Sequence, residues 1–291
     1  MKTYEEFTTE IKETMETIYP NEMVELTSTR KNNNIIKVGI TIRKSSTVLA
    51  PCIYLEEPYD KYLSGICMED IIKELQNACH FAPIPNFNAN TFLELDFVKD
   101  KIVYKLINLA TNKELLETIP YIPYLDLAIV FYVMLEKEDS HSSTLLVNYK
   151  LMKEWNVTTK ELEELAKENT PNILPYKFTP MSDVISELLG HEVDSPLEVE
   201  MYVLNNTQSS FGAITLLYDN VLENIEEKLQ AGFYVLPSSI HEVLVVPMTS
   251  AISKNELIAM VESVNSTEVS PQEILSNNVY TYNTKTHCLE L

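Results

Sequence analysis

Along the first fifty residues, the hydrophobic pattern changes from the spacing of a helix to the alternation of a strand. Phe7, Ile11 and Met15 recur at the spacing of one helix face, and Thr3 with Glu6 matches the capping box of a helix start. Apolar and polar residues then alternate on both sides of an asparagine-rich run, and asparagine tolerates the left-handed conformation of a tight turn. We therefore predict a helix over 4–19, hairpin strands over 23–30 and 35–43, a third strand over 52–55, and helices over 59–64 and 68–79.

Long apolar runs and prolines mark the middle of the chain. Apolar side chains at helical spacing over 95–112, after Pro83 and Pro85, predict a helix. The apolar run at 125–135 predicts a central strand, with 143–148 as its neighbour across a polar turn at 136–142. No apolar run approaches the ~20 residues that a membrane-spanning helix needs.

The segment that follows is acidic and rich in proline. Residues 151–200 contain four basic and eleven acidic side chains. Short helices are predicted at 151–155 and, after the cap Thr158, at 159–168, and prolines at 171, 175 and 180 then interrupt the pattern. This change of composition predicts three parts: an N-terminal α+β unit over 1–150, an acidic helical connecting segment over 151–196, and a C-terminal unit over 197–291.

Short strands and helices alternate in the C-terminal part. The predicted elements are strands 199–204 and 212–218, a helix 219–230 stopped by Gly232, strands 233–236 and 243–246, a helix 254–264 and a last strand 279–282. The first six form a ββαββα unit. The whole chain is therefore predicted to be α+β, with antiparallel-rich sheets and flanking helices.

Composition narrows the classes of function. Hydrophobic residues make up 45% of 291 residues, so a packed core is expected in spite of a net charge of −21. Five glycines leave little scope for phosphate-binding loops, and no cofactor is predicted. Only two arginines and twenty lysines are dispersed among forty-three acidic residues, which disfavours nucleic acid or anionic membranes. The excess of negative charge favours a basic partner or simply keeps the protein soluble, and solubility is the commoner reason for such a charge.

Four cysteines, at 52, 67, 79 and 288, have neither CxxC nor regular spacing. The N-terminus shows no basic segment followed by an apolar stretch, as a secretory signal would. Reduced thiols and a cytoplasmic location are the expectation.

The sharpest chemical feature is the segment 237–242, which contains Ser238, Ser239, His241 and Glu242 between two predicted strands. A hydrolase would use such a hydroxyl, imidazole and carboxylate together. On an extended chain, however, Ser239 and His241 share one face at roughly 6.5–7 Å between Cα atoms, and Glu242 points to the other. A catalytic relay would therefore need groups from distant segments, and a serine-capped turn with a half-buried histidine is the commoner arrangement. HExxH and paired-cysteine spacings are absent, and no metal site is predicted.

Three hypotheses of function follow. The leading one is a non-enzymatic interaction or regulatory protein, because sixteen tyrosines suit a protein-binding surface and catalytic spacing is missing. Its partner is expected to be basic or to contact tyrosines. The alternatives are a hydrolase using Ser238 or Ser239 with His241, and an acidic decoy that blocks a nucleic-acid-binding protein with carboxylates around Glu154, Glu161, Glu163, Glu164 and Glu168.

Several stretches resemble a known family. They are Pro-Cys-Ile-Tyr-Leu at 51–55, the run from 105 to 128, Gly-Ala at 212–213, Leu-Pro-Ser-Ser-Ile-His-Glu at 236–242, and Val-Tyr at 279–280. Over nearly the whole chain the sequence is similar to a family of uncharacterised proteins, a domain of unknown function, from anaerobic gut-associated Gram-positive bacteria. The C-terminal half also resembles a second such family, in which a tryptophan-containing helix precedes a ββαββ unit. The resemblance implies a bacterial cytoplasmic protein and no catalytic residues.

Overall fold

A computed structural model describes residues 1–43, 52–81, 89–134, 144–191 and 199–291, and it divides the chain into two compact units. The first unit comprises residues 1–31 and 35–88, and the second comprises 32–34 and 89–291. The boundaries predicted at 150 and 196 both lie inside the second unit, and the three-part division stays a prediction.

The first unit has the elements that its hydrophobic periods predict. Its elements are helix α1 (Tyr4–Ile18), strands β1 (Met23–Arg30), β2 (Ile36–Arg43) and β3 (Cys52–Tyr54), and helices α2 (Glu56–Leu63) and α3 (Met68–Phe81). The strands pair antiparallel in the order β1-β2-β3. Asn33 and Asn34 in the turn between β1 and β2 have φ of 58° and 60°, so the expected left-handed asparagines are confirmed.

The core of the first unit lies between α1 and the sheet. Phe7, Ile11 and Met15, the predicted face of α1, are fully buried. They pack with Val24 and Ile40 of the sheet and with apolar residues of α3. The Thr3 side chain accepts a hydrogen bond from the Glu6 backbone and the Glu6 side chain accepts one from the Thr3 backbone, so the capping box is confirmed.

The first sheet of the second unit is built around one central strand. The elements in this region are α4 (Leu95–Val98), β4 (Ile102–Asn108), α5 (Lys113–Leu116), β5 (Tyr121–Tyr124), β6 (Leu127–Met134) and β7 (Thr144–Leu146). Strand β6 pairs antiparallel with β4, β5 and β7 and is buried over nearly its whole length. The predicted central strand and its neighbour are therefore confirmed; the turn predicted at 136–142 and the prolines at 83 and 85 lie outside the described residues.

The helix predicted over 95–112 is wrong. Only Leu95–Val98 is α-helical, Lys99–Lys101 is a 3-10 turn, and Ile102–Asn108 is strand β4. Five of the seven residues of β4 are buried, so both of its faces are covered. A strand buried on both faces lacks strict alternation, and periodicity then fails to distinguish it from a buried helix.

The remaining elements of the second unit include the six strands of a second sheet. They are α6 (Tyr149–Trp155), α7 (Thr159–Ile173), β8 (Tyr176–Pro180), α8 (Met181–Leu189), β9 (Tyr202–Asn206), α9 (Val221–Leu229), β10 (Phe233–Leu236), β11 (Val243–Pro247), α10 (Lys254–Thr267), β12 (Tyr280–Asn283) and β13 (Cys288–Glu290). The order is β13-β12-β10-β11-β9-β8, and every pair is antiparallel. The predicted α+β class with antiparallel sheets is confirmed.

Three predictions in this region need correction. The second strand of the ββαββα order is a 3-10 helix, Gly212–Leu217. Its residues from Gly212 to Leu216 are all buried, so hydrophobic periodicity did not distinguish a helix from a strand there. Helix α9 ends on Gln230, which has a φ of 53°, two residues before the predicted stop at Gly232. The acidic connecting segment, 151–196, predicted as helical, also contains strand β8, which pairs with β9.

The two faces of the six-stranded sheet have different coverings. Leu236 and Val246 pack with Leu257 and Val261 of α10 on one face. Phe233 points to the opposite face, since it lies three residues before Leu236 in the same strand. There its ring stacks on Tyr282 of β12, with 4.5 Å between ring centroids, and the Tyr282 hydroxyl reaches α9. The α9 side of the sheet therefore brings polar groups together with aromatic rings.

Within the described residues, no helix is both long and apolar enough to cross a lipid bilayer. All four cysteines are free thiols. Their environments differ, because Cys67 and Cys288 are exposed whereas Cys79 is partly buried on α3.

The cysteines are expected to differ in reactivity. Burial, with a smaller contribution from the carboxylate of Glu22, raises the pKa of Cys79 to about 11. Because the thiolate is the reactive form, Cys79 should be alkylated by iodoacetamide at least ~10-fold more slowly than Cys67 or Cys288 at a pH of about 8. Raising the pH toward 11 should reduce the difference in alkylation rate, because the Cys79 thiol then ionises. Peptide mass spectrometry measures the rates, with denatured protein as the control; equal rates in the folded chain would contradict the prediction.

Candidate functional site

The candidate catalytic segment, 237–242, joins β10 to β11 and is held mainly by its backbone. The carbonyl of Ser238 accepts a hydrogen bond from Leu275 N at 2.9 Å, and Ser239 forms an isolated antiparallel bridge with Ile274. The Ser239 hydroxyl accepts a hydrogen bond from the backbone N–H of His241 at 3.1 Å. Both serines thus take part in local structure.

The imidazole of His241 has neighbours at both ring nitrogens. Nδ1 accepts a hydrogen bond from the backbone N–H of Phe211 at 3.2 Å, and Nε2 lies 3.7 Å from Oε1 of Glu273. Since Nδ1 acts as the acceptor, the neutral ring carries its proton on Nε2, on the side of Glu273. The ring also stacks on Phe211 at 5.5 Å between centroids.

The structure therefore brings His241 to a carboxylate that the sequence did not predict, that of Glu273. Among the described residues, neither ring nitrogen of His241 hydrogen-bonds to Ser238 or Ser239. Glu242 is exposed, and it makes no side-chain hydrogen bond or ion pair with the part of the chain that is described. The hydrolase assignment of these four residues stays a prediction.

Backbone packing fixes the position of Phe211 next to His241. Phe211 has a φ of 54°, an uncommon conformation for a bulky residue, and the following Gly212 donates its N–H to the carbonyl of His241 at 2.8 Å. An added Cβ on Gly212 would lie 2.4 Å from that carbonyl oxygen. Only glycine allows this approach, so the contact between the 3-10 helix and the 237–242 segment depends on residue 212.

A second histidine, His287, belongs to a group of titratable side chains with Tyr282 and Glu226. The hydroxyl of Tyr282 donates a hydrogen bond to Oε2 of Glu226 at 2.9 Å and lies 2.9 Å from Nδ1 of His287. Nδ1 of His287 is also 3.4 Å from the same oxygen of Glu226. Tyr282 is 1% exposed, and its burial, then its hydrogen bond to Glu226, raises its pKa. The phenol therefore stays protonated and acts as a fixed donor.

An open cavity adjoins this group at the C-terminal end of α9. Its volume is about 540 Å³. It is lined by Glu226, Glu227, Gln230, Ala231, Gly232 and Thr284. We call it the α9 cavity. Two carboxylates line it, together with a neutral amide and a hydroxyl, and a site with this lining favours cations.

A metal centre is not what these residues resemble. Across the described ranges, no group of three or more histidine, cysteine, aspartate or glutamate side chains is placed to hold a metal ion. The α9 cavity supplies two carboxylates from adjacent residues, whereas Ca²⁺ takes about 6–8 oxygen ligands.

No local pattern in the sequence indicated the α9 cavity. Glu226, Tyr282 and His287 lie on α9, on β12 and in the turn before β13, so that more than fifty residues separate the glutamate from the other two. The one available hint was the alternation of Tyr280 and Tyr282 on a predicted strand, which places both rings on the same face. That pattern does not indicate which helix covers the two rings.

Comparison with known proteins identifies one relationship. The model of a family of unknown function, DUF5688, matches residues 4–284. No curated protein matches the chain, and no solved structure matches it either.

Proposed function

Since the chain belongs to DUF5688, a family of unknown function, we propose its function from the physics of its own residues: it is a non-enzymatic protein that binds a basic protein partner. The observation that carries this proposal is the state of His241, the histidine of the one local constellation suited to catalysis. Its Nδ1 lone pair is taken by the N–H of Phe211. A general base needs that lone pair free for the nucleophile's proton.

The net charge of the chain determines the sign of the charge that its partner should carry. Acidic residues outnumber basic ones by 43 to 22, so many carboxylates have no basic side chain within the chain to neutralise them. Such a surface attracts a cationic partner over a distance of about one Debye length, ~8 Å at physiological salt, and repels phosphate backbones. Electrostatic complementarity of this kind mainly raises the association rate and sets specificity.

Exposed tyrosines support a protein as the partner. Tyr121, Tyr149 and Tyr176 are each between 37% and 48% exposed, on β5, α6 and β8. A tyrosine ring buries a large apolar area while its hydroxyl can stay hydrated, and such rings are enriched in protein interfaces. The four free thiols fit a reducing compartment, and the proposal places the protein in the cytoplasm of a gut-associated bacterium.

The proposal predicts a stoichiometric basic partner. Affinity capture with the full chain at ~0.15 M salt should retain a protein of high isoelectric point, and ~1 M salt should release it, because screening shortens the range of charge attraction. The control bait is an unrelated protein of the same size and net charge. The purified partner should then bind the purified chain in solution. Failure to retain any basic protein beyond the control, or retention that salt does not change, contradicts the proposal.

The two other sequence-based hypotheses remain alternatives. A hydrolase using Ser238 or Ser239 would need His241 to give up its contact with Phe211 N. An acidic decoy would need the carboxylates around Glu161 to match the phosphate spacing of a nucleic acid. If the captured partner is a nucleic-acid-binding protein, competition with its nucleic acid tests the decoy directly.

A further inference from the structure

We infer that residues 207–212, which precede and begin the 3-10 helix, form a pH-sensitive switch controlled by His241. We call these residues the Phe211 loop. The neutral imidazole of His241 holds the loop closed by accepting the N–H of Phe211, and the doubly protonated ring cannot accept it. The loop is therefore closed above the pH range in which the imidazole gains its second proton, and it is released below that range. Such a switch is additional to the proposed function and works without a partner protein.

The backbone of the Phe211 loop has an unfavourable conformation. Ser209 has a φ of 50° and Phe211 has a φ of 54°, so two residues with side chains lie in the left-handed region within three positions. This conformation is uncommon for a residue as bulky as phenylalanine, and it persists only where the surrounding structure enforces it. The loop should therefore change conformation when one of the contacts that enforce it is removed.

Contacts that do not titrate fix both ends of the loop. Before it, the buried side-chain amide of Asn206 donates to the carbonyl of Ser210 at 2.7 Å and accepts its N–H at 3.4 Å. At its end, Gly212 donates its N–H to the carbonyl of His241 at 2.8 Å. Within the described residues, the N–H of Phe211 is the one backbone donor of the loop that is bonded to a titratable group. A change of protonation therefore acts on the middle of the loop and leaves its ends attached.

The ring of His241 is accessible to solvent, and its charged neighbours act in opposite directions. The side chain is 32% exposed. The carboxylate of Glu273, 3.7 Å from Nε2, favours the protonated ring. The ammonium of Lys105 lies 4.6 Å from the centroid of Phe211, the ring on which His241 stacks, and it opposes protonation. Glu242, the next residue in the chain, is exposed.

Protonation would place two N–H groups against each other. The Nδ1 atom of His241 lies 3.2 Å from the backbone nitrogen of Phe211, and both atoms would then carry a hydrogen. Two donors at this distance form no hydrogen bond and repel each other. Rotation of the imidazole would also remove the acceptor, so the Phe211 N–H loses its partner in either case. Histidine side chains undergo this change between about pH 8 and pH 5.

Phe211 covers a buried tyrosine. Its ring packs edge to face on the ring of Tyr132, with 5.4 Å between the centroids. The Tyr132 hydroxyl is buried and has no hydrogen-bond partner among the described residues, which costs free energy in the closed form. Displacement of Phe211 would bring water nearer to this hydroxyl. Burial raises the pKa of Tyr132, so the phenol itself stays neutral between pH 5 and 8.

Nuclear magnetic resonance of the full chain tests the switch. Labelling with ¹⁵N-phenylalanine gives nine amide signals, one for each phenylalanine, and Phe211→Leu identifies the signal of residue 211. On lowering the pH from 8 to 5, this signal should shift upfield in one transition as the amide loses its acceptor. The nuclear Overhauser effect between the ring protons of Phe211 and Tyr132 should fall at least about 5-fold, as expected for loss of a typical hydrogen bond.

The ring contact is the decisive measurement, because titration of His241 without movement of the loop would change the amide shift alone. His241→Asn is the first variant, since its side-chain oxygen lies near the position of Nδ1 and accepts an N–H at every pH. Both the amide transition and the loss of the ring contact should then disappear. His287→Asn, the matched control, removes an imidazole from the turn before β13 and should leave both changes as in the wild-type chain.

Glu273→Gln tests the role of the neighbouring carboxylate. The substitution removes the negative charge that favours the protonated ring, so the transition of the Phe211 amide should move to lower pH. A transition that stays in place, or that moves to higher pH, would contradict the role given to Glu273.

The wild-type titration decides the main question even if a variant fails to fold, and the eight other phenylalanine signals report whether the chain stays folded at pH 5. Persistence of the contact between Phe211 and Tyr132 at pH 5 would show that no switch operates. Loss of this contact to the same extent in His241→Asn would show that another group controls the loop. Neither result affects the capture of a basic partner, so the proposed function is tested separately.

Discussion

Gly212→Ala is expected to lower the free energy of unfolding by about 3 kcal/mol, at the upper end of the usual cost of overpacking. The added Cβ would lie 2.4 Å from the His241 carbonyl oxygen and 2.9 Å from Cα of Asn205. Both are backbone atoms, so neither can rotate away as a side chain would. The change would also separate Gly212 N from the His241 carbonyl, which are 2.8 Å apart.

Chemical denaturation of the full chain measures this loss, and Gly232→Ala is the matched control. A Cβ at 232 first meets Sδ of Met248 at 3.1 Å, and methionine is flexible enough to move. The control should therefore lose less stability than Gly212→Ala. Equal losses of stability in the two variants would show that the close approach to His241 does not restrict residue 212 to glycine.

Asp126→Ala is expected to cost about 3 kcal/mol, because it leaves more than one buried donor without an acceptor, at ~1–3 kcal/mol for each. Asp126 lies in the turn between β5 and β6. Its carboxylate accepts hydrogen bonds from the Ser276 hydroxyl at 2.6 Å, the Asn278 amide at 2.9 Å and the Tyr280 hydroxyl. Ser276 and Tyr280 are almost completely buried, so water cannot replace the lost acceptor without a rearrangement.

A double-mutant cycle with Tyr280→Phe isolates the hydrogen bond between Asp126 and Tyr280. Removing the Tyr280 hydroxyl first removes one of the stranded donors, so Asp126→Ala should then cost about 1 kcal/mol less than in the wild-type chain. Denaturation curves for the four proteins give the coupling free energy. Strict additivity of the two substitutions would mean that the bond between Asp126 and Tyr280 does not contribute to stability.

Local patterns correctly predicted the elements that have one face exposed to solvent. The apolar stripe of α1 and the alternation in β1 and β2 are both confirmed. Each of these elements packs one face on a core, so its hydrophobic period is visible in the sequence. The capping box predicted at Thr3 forms, and the predicted N-cap Thr158 forms one with Glu161, in each case between residues only three apart.

Prediction was wrong for two apolar segments that are covered on every side. Strand β4 and the 3-10 helix Gly212–Leu217 are both mostly buried apolar runs, and the first was predicted as a helix and the second as a strand. Their sequences specify burial and leave the backbone conformation open. Pairing with β6 sets the conformation of β4, whereas the contact of Gly212 with His241 accompanies the 3-10 turn.

The candidate sites show the same difference between contacts of neighbouring residues and contacts of residues far apart in the chain. The sequence identified His241 and its serine neighbours because they are adjacent in the chain, but their hydrogen bonds depend on Phe211, thirty residues away, and on Glu273. It gave no indication that Glu226 would meet Tyr282 and His287, or that a cavity would open beside them.

The sequence by itself determined the class of fold, the caps of its helices, its excess of negative charge and the family to which the chain belongs. These properties depend on composition or on residues within one turn or one strand of each other. Only the tertiary structure decided which polar groups meet, which histidine nitrogen is occupied and where a cavity forms. Such contacts join residues far apart in the chain, and their geometry is set by the packing of whole sheets and helices, which no local pattern encodes.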